Sequence, residues 1–155
     1  VALSQFGVTE LAYSFGLTPS EEAVIFKTAG YQLTGKQWHS ECSDPSELSF
    51  SPAVIEKVID LNNDGLSEVL VTESGTACYG NTGNGFSLVS KQKNGNWMLM
   101  LSSTGIPNFL STKGVNNFPD IQIGGPGFCF LIVRWDGKNY ANNRFEYEGK
   151  TCNIN

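Results

Sequence analysis

From Gly30 onward the chain alternates short β-prone runs with turn residues, and this rhythm limits the fold more than anything else in the sequence. The runs are "YQLTG", "QWHSEC", "AVIEKVIDL", "SEVLVTES", "GFSLVSKQ", "NWMLMLSS", "DIQIG", "CFLIVRWDG" and "RFEYEG". β-Branched and aromatic residues fill them, and Gly, Asn, Asp and Pro separate them, as in sheets built from hairpins. Asn94-Gly95 and Asp136-Gly137 read as tight hairpin turns. The 17 glycines suit that many reversals. One helix precedes the β-region, over about residues 19–29. Thr18 reads as its N-cap, Pro19 as its first residue and Glu21 as the far side of a capping box. Gly30 stops it, and Val24, Ile25 and Phe26 supply its apolar face. A weaker helical stretch spans roughly residues 3–15. No linker divides the chain, so residues 1–155 are read as one mainly β domain of antiparallel sheets.

Charged residues make up only 16% of the chain, and Asn, Ser, Thr and Gly take their place. Such a polar, uncharged surface is common in exported proteins. The four cysteines, Cys42, Cys78, Cys129 and Cys152, contain no C-x-x-C pair, which argues against zinc and thioredoxin-like chemistry. Wide spacing and an even number point to two disulfides and an oxidising compartment. Of the three possible connectivities, Cys42–Cys78 and Cys129–Cys152 join the cysteines nearest in sequence. The opening "VALSQFGV" lacks Lys and Arg and reads as lying near the mature N-terminus of an exported, periplasmic or secreted protein. No apolar run reaches the ~18 residues of a membrane span. The net charge of -5 argues against nucleic acid and anionic membranes as partners and suits a basic protein.

"DLNNDGLSE", residues 60–68, has the spacing of a loop that wraps oxygen ligands around calcium. Asp60, Asn62 and Asp64 would offer side-chain oxygens, Leu66 its carbonyl, and Glu68 would close the shell. Gly65 makes the turn. An EF-hand requires a glutamate at the twelfth position, where this chain has Val71, and the flanks alternate like strands. The competing reading is a tight turn, because Asp and Asn side chains cap nearby backbone N–H groups.

"DLNNDGLSEVLV" resembles the calcium-loop strand of FG-GAP or VCBS repeats, which implies a propeller-type blade and calcium as a bracing ion. "VIDLNNDGLSEVLVT" is echoed by "NNFPDIQIGGPGFCFLIVRWDG" in its order of polar turn, acidic residue, strand and glycine turn. Repeated sheet-sized units point to propeller-like architecture. The chain is too short for a full ring, so a partial, propeller-like arrangement is expected.

Catalytic signals are sparse. His39 is the single histidine, and no G-x-S-x-G elbow accompanies it. Asp120, Glu146 and Glu148 carry no glycosidase-like spacing. "GGPGF", residues 124–128, lacks the helix and lysine of a phosphate loop. A hydrolase using His39 and nearby acids is therefore the third reading. Residues 101–120, "LSSTGIPNFLSTKGVNNFPD", read instead as a long, partly apolar surface loop, a feature often tied to function.

A small exported β-domain with disulfides and a projecting loop reads as a binding protein rather than an enzyme. In size, acidic balance, cysteines, β-architecture and its Ser-Ser stretch, the chain is similar to periplasmic immunity proteins that neutralise type VI-secreted peptidoglycan amidases. That resemblance implies a loop entering the amidase cleft, with Ser102 and Ser103 blocking its Cys–His pair and Thr104, Gly105 and Ile106 shaping the tip. The alternative is a calcium-braced adhesion or carbohydrate-binding module, with Trp38, Trp97 and Trp135 as stacking faces for sugars.

Overall fold

A computed structural model describes residues 15–154. The weaker helical stretch near residues 3–15 lies, except for its last residue, outside the described residues. Helix α1 spans Pro19–Thr28, and both arms of the capping box form: Glu21 N–H donates to Thr18 Oγ1 at 3.1 Å, and Thr18 N–H to Glu21 Oε2 at 3.2 Å. Gly30 follows with φ of +96°. Ile25 and Phe26 are buried, but Val24 is 49% exposed and leaves the apolar face expected of it. One residue is about 100° of turn, so three consecutive residues cannot all face one core.

A short hairpin, β1 (Gln32–Thr34) and β2 (Gln37–His39), leads into two larger sheets. The first is β3 (Ser51–Ile59), β4 (Glu68–Ser74), β5 (Asn84–Lys91) and β6 (Trp97–Thr104). The second is β7 (Ile106–Lys113), β8 (Pro119–Gly124), β9 (Phe130–Trp135), β10 (Tyr140–Tyr147) and β11 (Lys150–Thr151). Each sheet is an antiparallel meander in which every strand pairs with its sequence neighbour. A one-turn helix, α2 (Thr76–Tyr79), links β4 to β5. Both expected hairpin turns form, with Gly95 at φ +87° and Gly137 at φ +101°.

The stretch read as a long loop, residues 101–120, is mostly strand. β6 runs through Thr104, the chain turns at Gly105, and β7 begins at Ile106. The prolines misled the reading. Pro107 lies on β7, the edge of its sheet, and Pro119 opens β8. Edge and first-residue positions are the places a strand tolerates proline.

The first sheet is sandwiched. Val69, Val71 and Val89 pack on Ile25 and Phe26 of α1 and on Ala29 at its C-cap. On its other face Leu88 and Met100 join Phe118, Ile121, Val133, Trp135 and Tyr140 of the second sheet. β4 is therefore buried on both sides, which explains its unbroken apolar run. Stacked successive meanders realise the repeat seen in the sequence. Glu68 in β4 and Asp120 in β8 occupy like places in the second strand of each sheet, and both are fully buried. The loops before them meet where Asn62 Nδ2 donates to the Asn116 carbonyl at 3.1 Å.

The cysteines pair as Cys42–Cys78 and Cys129–Cys152, with Cα separations of 5.3 and 5.8 Å. The first bridge holds the segment after β2 against α2, and the second ties the start of β9 to the end of β11. Two disulfides fit an oxidising compartment. Among the described residues no helix is long and apolar enough to cross a membrane.

Candidate functional site

The Asp60 loop is closed by its own backbone. Asp60 accepts from Asp64 N–H at 3.2 Å and Gly65 N–H at 2.8 Å, and Asp64 Oδ1 accepts from Leu66 N–H at 2.8 Å. Left-handed Asn63, φ +58°, and Gly65, φ +85°, make the turn. Glu68 departs from its expected role as the closing ligand. Its Oε1 accepts from Leu61 N–H at 2.8 Å and its Oε2 from the Ser90 hydroxyl at 2.9 Å, inside the sheet pair. Burial pushes this carboxyl up to about 7, against those two hydrogen bonds and with help from the charges of Asp64 and Asp60. Among the described residues no three His, Cys, Asp or Glu side chains converge as a metal site needs. Asn62 Oδ1 is buried and has no hydrogen-bond partner among the described residues, a costly state for an amide oxygen.

The residues expected to contact a partner form a strand corner rather than a flexible tip. Ser102 pairs across from Ser87, and their hydroxyls lie 3.1 Å apart on the α1 side of the sheet. Ser103 follows on the opposite side, because successive strand residues alternate. The two serines therefore cannot act on one target as a loop would allow. The corner is fixed by Asn84, whose carbonyl accepts from Gly105 N–H at 2.9 Å and whose side chain donates to the Gly105 carbonyl at 2.8 Å. Beyond it Ile106 is 59% exposed. Ile106 borders a groove of about 580 Å3 between β3 and β7, which Ile59, Leu61, Leu70, Pro107 and Phe109 make largely apolar.

Among the described residues His39 bonds to no acid. Its Nδ1–H faces the Ser40 carbonyl at 2.9 Å, and its Nε2 lies 2.7 Å from Thr34 Oγ1. Buried Glu73, which reaches the neighbouring Ser40, accepts from Ser40 N–H and from the hydroxyls of Ser40 and Tyr79, at 2.9, 2.5 and 2.6 Å. Burial raises the Tyr79 phenol further, and its bond to Glu73 adds to the shift. Of the tryptophans, Trp135 is buried, and Trp38 and Trp97 are half-buried. Trp38 stacks on Phe26 at 4.9 Å, Lys91 covers Trp97 at 5.8 Å, and Trp135 is only 3% exposed.

Two polar assemblies escaped the sequence. Asp120 binds Arg134 Nε at 2.9 Å, Arg144 Nη1 at 2.9 Å and Thr112 Oγ1 at 2.6 Å. Burial alone would raise its carboxyl, but these donors outweigh it and hold the acid well below the usual range. Glu47 caps α2 through Thr76 and Ala77, with the Ser49 hydroxyl on the same carboxylate. The hydroxyls of Ser49 and Thr76, then the Ala77 N–H, pull Glu47 down to about 2. "NNFPD" held the one hint of the Asp120 network, through its echo of the Asp60 loop. Glu47 left no local signal of its capping role, because Thr76 and Ala77 lie about thirty residues away.

Comparison with protein-family models, characterised proteins and solved structures finds no match to this chain.

Proposed function

We propose that this is an exported binding protein that neutralises a secreted toxin, a peptidoglycan amidase acting in the periplasm. The observation that carries this reading is the β6–β7 corner. Ile106 stands 59% exposed beside an apolar groove, and the exposed Ser102 and Thr104 lie just before it on an edge strand. A rigid apolar anchor with neighbouring hydroxyls is the make-up of a binding hot spot. Little conformational entropy is lost when such a corner docks. The net charge of -5 favours encounter with a basic partner. The test is inhibition of a Cys–His peptidoglycan amidase encoded beside this chain. Ile106→Asp, or Ser102→Asp with Thr104→Asp, should weaken inhibition at least about tenfold, a change of about 1.4 kcal/mol, while the melting temperature holds. Undiminished inhibition by both variants would remove the corner from the contact.

A second reading concerns calcium. The unpartnered Asn62 Oδ1, in the same loop as Asp60 and Asp64, supports an ion that braces the loop. Calcium at about a hundred times its Kd should add about 2.7 kcal/mol of stability, and Asp64→Asn should abolish the gain. Equal melting temperatures in millimolar calcium and in chelator would sink this reading.

A further inference from the structure

At one end of the molecule the two sheets diverge around a cleft of about 850 Å3. The Asp60 loop and the β5–β6 hairpin form one wall, and the loop before β8 with the β9–β10 turn forms the other. Its size falls in the ~300–1,000 Å3 range of small-molecule sites. The walls are rich in carboxamides: Asn63 and Gln92 on one side, Asn117 on the other. The bond from Asn62 to the Asn116 carbonyl ties the two walls together at 3.1 Å. Deeper in, Met98, Met100 and Phe118 supply carbon surface.

Charge in the cleft is sparse. Lys91 is drawn away to Glu21, 3.7 Å off, and over the Trp97 ring, which leaves Lys93 and Asp64 roughly in balance. A strongly charged ligand would find no matching field here. A carboxamide offers two donors and an acceptor and so suits a hydroxyl, which both donates and accepts. Sulfur and aromatic carbon below suit the C–H face of a sugar ring.

We infer that this cleft binds a neutral oligosaccharide. The site is separate from the β6–β7 corner and shares no residue with it. Amide resonances of the intact chain would be followed by NMR during titration with the neutral tri-N-acetylchitotriose, the neutral cellotriose and the cationic, unacetylated glucosamine trimer. At least one neutral trisaccharide should give saturable shifts at residues 62–66 and 116–118, and the cationic trimer should bind at least about tenfold more weakly. Asn63→Gly with Asn117→Gly removes both carboxamides while keeping a residue that accepts their left-handed backbone; it should weaken binding at least about tenfold. Gln92→Ala, a single change in the facing hairpin, should weaken it in the same direction. No saturable shift at about 10 mM of either neutral trisaccharide, enough to fill a millimolar site, would overturn the inference. So would unchanged affinity in both variants. Because no protein partner is used, the result is independent of the toxin-binding reading.

Discussion

Gly105 decides the path of the chain from one sheet to the other. A Cβ there would lie 2.6 Å from Ile123 Cγ2 and 2.7 Å from the Gly124 carbonyl, at a backbone φ of +139°. Gly105→Ala should therefore cost about 1–3 kcal/mol, read as a lower urea midpoint with an unchanged slope. The sequence placed this glycine at the tip of a loop and could not show that it lies against β8. Glu68 carries a pH signature. Its carboxyl sits at about 7 when folded against an ordinary 4.5. Between these values the folded chain keeps a proton that the unfolded chain has released, so stability is greatest below the lower value and falls as pH rises through the higher. Melting temperatures of Glu68→Gln across pH 4 to 8, a window of roughly one unit either side of the shift, should lose that decline. If the variant keeps the wild-type slope, another group is responsible.

Elements divide into those whose cause is local and those whose cause is not. Helix α1 is local: Thr18, Pro19, Glu21 and Gly30 announce it, and each occupies its expected place. Thr18→Ala should cost about 1 kcal/mol, measured by chemical denaturation. β7 is not local. Its Pro107 and its glycine neighbours resemble a loop, and only its position at a sheet edge makes them acceptable. The second sheet is further held by Asp120, which links β8 to β9 and β10 through Arg134 and Arg144. Asp120→Asn leaves those guanidiniums without their shared anion and should cost on the order of 2 kcal/mol near neutral pH. That contribution is present above the ordinary carboxylate range and fades as acid drives protons onto the folded carboxylate, because the folded value is depressed.

Across the whole molecule the two sheets share one of the two cores. Leu88 and Met100 from the first pack with Ile121, Val133 and Trp135 from the second, so neither sheet buries its face alone. Unfolding followed by tryptophan fluorescence and by far-UV circular dichroism should give coincident transitions, and reduction of the disulfides should lower the midpoint of both. Separate transitions would show two independent units. The sequence by itself determined the β-rich class, the capped helix and the hairpin turns, because each depends on residues close along the chain; it favoured the pairing Cys42–Cys78 and Cys129–Cys152, which the structure then selected from three connectivities. It also located the Asp60 loop. Tertiary structure alone decided that Glu68 turns inward, that Ser102 and Ser103 point to opposite sides of a strand, and that the cleft opens between the sheets. Those outcomes depend on which strand lies opposite and what each face is packed against, and such cross-strand pairings leave no periodic trace in one sequence.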